Sequence, residues 1–215
     1  SELLNSVDVV IHAAGKAHVM KKQSKEDLEE YDRVNSELTF RLARSAATCG
    51  VKRFIYLSSI KVNGESTKPG TAYRSDSIPH PVDAYGKSKL SAEKKLLEVA
   101  EETGLEVVII RPPLVYGPGV KGNMEMLTKL VRSGFPLPFR SIKTNKRSMV
   151  SLDNLLDLLK NCLVNPAAPG EIFLVSDDHD LSTFAVVSLL KKYTGSRSLL
   201  LPFPTNLLHL LSAKN

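Results

Sequence analysis

Three runs of consecutive apolar residues restrict this chain more than any other feature. They are Val7-Asp8-Val9-Val10-Ile11-His12-Ala13-Ala14-Gly15, Arg53-Phe54-Ile55-Tyr56-Leu57-Ser58-Ser59 and Glu106-Val107-Val108-Ile109-Ile110-Arg111. None alternates apolar with polar, so each reads as a strand covered on both faces, as in a parallel sheet. Parallel neighbours need long crossovers, usually helices. The segments between the runs supply them. Residues from about Ser24 to Cys49 carry an inward stripe of Leu28, Tyr31, Val34, Leu38, Leu42 and Ala46. Ser24 caps this helix, with Asp27 three residues on, and Gly50 stops it. A second helix runs from Ala84 to about Thr103, with Tyr85, Lys89, Ala92, Leu96 and Ala100 on one stripe and Gly104 at its end.

The alternation continues downstream. A loop over Leu114–Gly122 precedes a helix over Asn123–Arg132. A short apolar run at Ser148–Leu152, a helix at Asp153–Val164, a strand at Glu171–Val175 and a helix at Ser182–Tyr193 follow, with Asp153 and Ser182 as N-caps. Strands alternating with helices predict an α/β fold with a parallel sheet. The Gly-, Pro-, Ser- and Thr-rich segment from Lys61 to Val82 reads as a loop over the C-terminal sheet edge, where open parallel sheets bind ligands.

Composition excludes several functions. A chain of 215 residues with 42% hydrophobic residues builds an ordinary packed core. Its two cysteines, Cys49 and Cys162, lack metal-type spacing and read as buried, reduced thiols. No metal is expected. His12 reads as a packed core residue, because no second histidine or carboxylate stands at ligand spacing. The net charge is +6. Lys21-Lys22 and Lys94-Lys95 read as solvated surface, whereas the basic run from Arg140 to Arg147 suits a phosphorylated small molecule. No nucleic-acid module is visible. Ser1 opens no leader-like pattern, and Leu199–Leu211 is too short and too broken by Pro202 and Pro204 to span a bilayer, so a cytoplasmic protein is expected.

The chemistry concentrates around Tyr85-Gly86-Lys87-Ser88-Lys89. Tyr85 and Lys89 share one helix face a turn apart. A tyrosine is a poor base at neutral pH, with a free pKa of about 10, and a neighbouring ammonium is expected to lower it into the working range. Ser58 and Ser59 end a strand at the ligand-binding edge. Asn35 lies beside the buried stripe of its helix, where its amide can bond a neighbouring loop. Gly117-Pro118-Gly119-Val120-Lys121-Gly122 matches G-x-G-x-x-G, yet Pro118 lacks the N–H that such a turn aims at a pyrophosphate.

Ser59, Tyr85 and Lys89 together resemble the extended short-chain dehydrogenase/reductase family, the NAD-dependent epimerases and dehydratases, and the resemblance covers nearly the whole chain. His12-Ala13-Ala14-Gly15 is similar to the family's strand end beside the nicotinamide. Asn35 falls where the family has a helix asparagine. Leu57-Ser58-Ser59 followed by Val62-Asn63-Gly64 is similar to its Ser-Ser-x-x-Val-Tyr-Gly segment, with Asn63 in place of the tyrosine. Arg111-Pro112-Pro113-Leu114-Val115-Tyr116-Gly117-Pro118-Gly119 is similar to its Arg-Pro-x-x-Val-Tyr-Gly-Pro-Gly segment.

The resemblance implies a Rossmann-like sheet and hydride transfer at C4 of a nucleotide sugar, by a UDP-sugar 4-epimerase or a 4-ketoreductase. Catalysis would fall to Ser59, Tyr85 and Lys89. The cofactor, NAD or NADP, would lie against Ala13, Ala14, Gly15, Asn35, Tyr85, Lys89, Pro112 and Tyr116. Substrate would meet Ser59, Asn123 and Arg147, the last two at the diphosphate; alternatively, Asn123 is a helix cap and Arg147 a surface charge. Residues 1–119 would form part of a dinucleotide-binding domain and 120–215 most of a substrate lobe.

The family's phosphate-binding glycine loop is absent from the sequence, which opens at the equivalent of the family's fourth strand. The Val7–Ala14 strand is therefore expected to present an exposed apolar edge, an aggregation site unless covered. Two readings stay open. The chain is a piece of a full enzyme, or it is a catalytically silent binding or scaffold protein that covers that edge with a partner or a second copy, as in a homodimer.

Overall fold

The computed structural model describes residues 2–16 and 25–204. Its contacts divide the chain into two compact units, Ser1–Pro113 with Asp153–Val175 and Leu114–Leu152 with Ser176–Asn215. The sequence reading put one boundary at residue 119. In the structure the chain leaves the first unit at Pro113 and returns residues 153–175 to it, because the strand Ile172–Leu174 pairs within the first unit's sheet.

That sheet has strands β1 (Val9–His12), β2 (Arg53–Leu57), β3 (Glu106–Arg111) and β6 (Ile172–Leu174), in the order β1-β2-β3-β6 and all parallel. Val10 pairs with Phe54 and Ile55 with Val108. Phe54, Tyr56, Val107 and Ile109 share one face and pack against Ala43, Ala46, Ala92, Leu96 and Val99. Each large apolar side chain fully buried there contributes roughly 1.5–3 kcal/mol. On the other face, Arg53 donates to the carbonyl of Cys162 at 2.6 Å. Cys162 is buried, while Cys49 is only half-buried, because it follows the last helical residue instead of facing the core.

Among the described residues β1 is an edge strand, as expected. It is not covered on both faces, however. Val9 and Val10 are half-buried and Ile11 is 46% exposed, because a strand with one neighbour loses half of its flanking surface.

The first long helix is interrupted. It comprises α1 (Lys25–Asp32), a π-helical turn (Arg33–Glu37) and α2 (Leu38–Thr48). Ser24, its expected cap, lies outside the described residues. A π turn inserts one residue and rotates everything after it. Beyond Tyr31 the buried face therefore runs through Asn35, Ser36, Thr39, Ala43 and Ala46, and Leu38, expected inside, is about half exposed; Leu28, ahead of the turn and also expected inside, is 46% exposed.

The helix α3 (Ala84–Thr103) has the expected bounds. Asp83 caps it by accepting from the Gly86 N–H, and Gly104 ends it with φ +75°. Deep in this unit Arg111 is bound to Glu93 of α3. The Nη2 to Oε2 distance is 2.6 Å and the Nε to Oε1 distance 3.0 Å, with both residues 2% exposed. Ser58 donates to the same carboxylate, and Arg111 Nη1 donates to Asn63 Oδ1 at 3.1 Å.

The second unit holds a parallel pair, β4 (Leu114–Tyr116) with β5 (Met149–Ser151). Leu114–Tyr116, expected in a loop, is a strand because Met149–Ser151 pairs with it. Helix α4 (Asn123–Arg132) starts after Gly122, which occupies the cap position that Asn123 was an alternative for. Helix α5 (Leu152–Val164), which belongs to the first unit from Asp153 on, starts one residue earlier than expected, so Asp153 sits inside its first turn, not at its cap. Helix α6 (Thr183–Thr194) is capped by Ser182, as expected. A small core of Val131, Leu137 and Val187 joins α4 to α6. No helix among the described residues is long and apolar enough to cross a membrane.

Removing one member of the Glu93–Arg111 pair strands a buried charge. Glu93→Leu should therefore lower the unfolding free energy by about 3–5 kcal/mol, and adding Arg111→Met should restore most of it. Urea unfolding of the three proteins tests this; a single substitution costing under about 1 kcal/mol would exclude a tightly coupled pair.

Candidate active site

The site forms where β2 ends. Extended backbone carries Ser58 and Ser59 past Leu57, and a 3-10 turn over Ile60–Val62 bends the chain away. Ser59 caps that turn: its Oγ accepts from the Lys61 N–H at 3.2 Å. The same hydroxyl lowers the pKa of Tyr85, on the first turn of α3. Lys89 is one helical turn further on and buried, at 4% exposure. Its Nζ donates to the carbonyl of Leu57 at 2.9 Å and lies 4.6 Å from the Tyr56 ring centroid and 5.9 Å from that of Tyr85. Ser59, Tyr85 and Lys89 are thus brought together as the sequence predicted.

Asn35 reaches the same place from the π turn. Its Oδ1 accepts from the Lys16 N–H at 2.7 Å. Its Nδ2 donates to the Lys16 carbonyl at 3.1 Å and to Ser88 Oγ at 3.0 Å. Ser88 in turn donates to the Tyr85 carbonyl at 2.8 Å. One buried amide therefore holds both the segment after β1 and the first turn of α3. Ala13, Ala14 and Gly15 are exposed at that strand end. A Cβ on Gly15 would stand 2.9 Å from Asn35 Oδ1 and 3.5 Å from Lys89 Nζ, so the glycine keeps the space around the ammonium open. Pro112 is buried, and its carbonyl accepts from the Ile60 N–H at 3.0 Å.

Burial decides the electrostatics. It raises the Tyr85 pKa above its ordinary value; the Ser59 hydrogen bond pulls the other way, Asp83 and Tyr31 push it up further, and Lys61 draws it down. The expected lowering by Lys89 is thus not the dominant effect: desolvation is, and the cation that opposes it is Lys61. Lys89 itself is drawn down to about 8 by burial, which the Glu93 carboxylate partly offsets. His12 is brought to about 4, by burial first and by Lys89 second, so it is neutral. Its Nε2 lies 2.8 Å from Thr39 Oγ1, whose hydrogen goes to the Asn35 carbonyl, so Nε2 is the donor. His12 is half-buried on the edge strand, less enclosed than the packed core residue expected. Among the described residues no group of side chains could hold a metal ion.

The other predicted residues belong to the second unit. The Tyr116 hydroxyl donates to Asp177 Oδ2 at 2.7 Å, and Asp177 also accepts from the Ser151 N–H. Asn123 is exposed at the start of α4. Arg147 is exposed, and its backbone bridges to Leu181. The sequence reading left Glu93, Lys61 and Asp83 without roles. Glu93 had one legible signal: a carboxylate four residues beyond Lys89 falls inside an otherwise apolar stripe.

A family model described as NAD dependent epimerase/dehydratase family matches residues 1–175. The chain is 48% identical over 201 residues to a UDP-glucose 4-epimerase of Vibrio cholerae, covering 94% of this chain and 61% of that protein. It is 31% identical over 183 residues to the N-acetyl-α-D-glucosaminyl-diphospho-ditrans,octacis-undecaprenol 4-epimerase of Escherichia coli O157:H7, covering 83% of this chain and 54% of that protein. Among solved structures, the UDP-glucuronic acid 4-epimerase of Bacillus cereus in complex with UDP-glucuronic acid and NAD matches with a TM-score of 0.81 at 26% identity, covering 94% of this chain and 65% of that one. The chain therefore spans between half and two thirds of the length of these relatives.

A buried lysine that stays charged opposes folding. Below pH 8 the native state bears that cost in full; between about 8 and 10.5 the unfolded lysine keeps a proton the native one has lost, so stability rises with pH there. Lys89→Met should therefore raise the unfolding free energy at pH 7 by about 1–3 kcal/mol, after allowance for the lost Leu57 hydrogen bond. Its advantage should close across that window. Urea unfolding at pH 7 and pH 10 checks this, and a variant less stable than the parent at pH 7 contradicts it.

Proposed function

The chain belongs to the NAD dependent epimerase/dehydratase family, and on that footing we propose that it is a nucleotide-sugar 4-epimerase using NAD on a UDP-hexose. The observation that carries this reading is a buried Lys89 ammonium 5.9 Å from the Tyr85 ring, with Ser59 at the same C-terminal edge of a parallel sheet. The family also contains 4-ketoreductases. The epimerase reading rests on relatives named as 4-epimerases at 48% and 31% identity.

The residues present fit a nicotinamide ribose. Of the three Lys89 donors, Leu57 takes one. A Cβ on Gly15 would stand 3.5 Å from the ammonium, so the glycine leaves room beside it. Lys89 would hold the ribose, with Ala13, Ala14, Gly15 and Asn35 shaping the strand end and Pro112 and Tyr116 beside the ring. The bound cofactor supplies a reversible hydride acceptor at the sugar's C4. Tyr85 then takes the proton of the C4 hydroxyl and returns it to the same oxygen, acting as base and then as acid. Ser59 holds that oxygen through its hydroxyl. Lys89 stabilises the phenolate while Tyr85 is ionised. Asn123 and Arg147 would bind the diphosphate, where a guanidinium pairs with phosphate oxygens two at a time. In this reading the second unit is the substrate lobe, the enzyme is cytoplasmic and assembles as a homodimer, and its product feeds surface-polysaccharide synthesis.

The reading is tested by supplying NAD and a UDP-hexose and following C4 inversion by NMR. Tyr85→Phe should lower turnover about 10²–10⁴-fold, with UDP-sugar affinity retained in calorimetry. Undiminished turnover in that variant removes Tyr85 from the mechanism. A fluorescence titration with NADH separates the catalytic reading from the scaffold reading, because stoichiometric binding by this chain excludes a protein that has lost its cofactor.

A further inference from the structure

We propose that Lys61 is a positioning residue for Tyr85: it locks the Ser59 turn to the cap of α3 and neutralises the cap carboxylate that stands two residues before the phenol. This rests on Tyr85 being the proton carrier of the proposed reaction.

The observations come from three groups on one residue. The Lys61 N–H donates to Ser59 Oγ at 3.2 Å, which occupies an acceptor site on that oxygen and leaves its hydrogen to point elsewhere. The Lys61 carbonyl lies against the first turn of α3, where a Cβ on Gly86 would stand 2.7 Å from it. Gly86 has an ordinary helical backbone, so its missing side chain serves this close approach and not a special turn. The Lys61 ammonium reaches Asp83 Oδ2 at 2.9 Å and also pairs with Glu65. The turn that carries Ser59 and the helix that carries Tyr85 are thus joined through Lys61 at backbone and side chain together.

The charge at Asp83 creates a conflict. Its Oδ1 accepts the Gly86 N–H at 2.7 Å and holds the first helical turn, which contains Tyr85. A carboxylate so placed disfavours a phenolate. Lys61 offsets that charge without removing the cap. Three other described residues near Tyr85 do not do this. Tyr31 of α1 approaches with ring centroids 6.3 Å apart and offers no positive charge. Tyr56 of β2 is buried and kept protonated by burial. Lys89, on α3 itself, has its ammonium on the Leu57 carbonyl. Lys61 draws the Tyr85 pKa down and Asp83 pushes it up, as this geometry requires.

The test reads Tyr85 directly, in the chain without substrate. Tyrosine is replaced throughout by 3-fluorotyrosine, and the six resonances expected from six tyrosines are followed by 19F NMR against pH, with Tyr85→Phe identifying the relevant one. In Lys61→Met the Tyr85 titration should move to higher pH. In Asp83→Asn, which keeps a good N-cap, it should move to lower pH. The double variant should return close to the parent, and Lys61→Arg should leave it unchanged. A Tyr85 titration that does not move in a folded Lys61→Met protein overturns the proposal, since a purely structural staple would cost thermal stability alone. Should Lys61→Met fail to fold, Asp83→Asn decides, and an unmoved titration there overturns it equally. Because no turnover is measured, a protein that shows these shifts yet inverts no sugar refutes the epimerase reading and retains this one.

Discussion

The buried pair of Glu93 and Arg111 is the constraint on which the first unit depends. It ties the middle of α3 to the last residue of β3, and through Ser58 and Asn63 it gathers the end of β2 and the turn beyond it. Such a pair is a poor source of net stability, because taking two charges out of water costs about what their attraction returns. Its effect is on geometry. A carboxylate at position 93 that must meet a guanidinium fixes the rotation of α3 about its axis. Lys89 and Tyr85, one and two turns earlier, then face the ends of the strands. The same carboxylate keeps some positive charge on Lys89 against burial.

Around this anchor the site is assembled from strains that offset one another. Desolvation moves Tyr85 and Lys89 toward their neutral forms from opposite directions. The π turn costs α2 the burial of Leu38, yet it carries Asn35 to a position from which one amide holds the segment after β1 and the start of α3. The Asp83 cap orders the turn bearing Tyr85 while setting an unfavourable charge near it. Places where local preference gives way to a tertiary demand cluster here, as is common where a protein does chemistry.

Much of this was legible in the chain. Unbroken apolar runs identified the parallel strands, and the end of α3 follows from Gly104, a local signal. The Tyr85/Lys89 spacing and the strand-end serines pointed to one site. Leu114–Tyr116 could not be read as a strand, because three residues become one only when Met149–Ser151, far along the sequence, pairs with them. The stripe of the first long helix was misplaced at Leu38 because a 3.6-residue period assumes an uninterrupted helix. The strand at Val9–His12 reads as fully buried, since composition records apolarity and not the number of neighbours.

By itself the sequence determined the alternation of the main strands and helices, the buried face of α3 and the residue types available for proton transfer. These depend on backbone sterics and on periodicity, which act over a few residues. Only the tertiary structure decided that Glu93 finds Arg111, that Asn35 reaches both Lys16 and Ser88, and that Lys61 rather than Lys89 is the cation set against the Asp83 charge at Tyr85. Those outcomes depend on distances between segments many residues apart and on how much water is removed from each charge, and neither quantity exists before the sheet and its helices have packed.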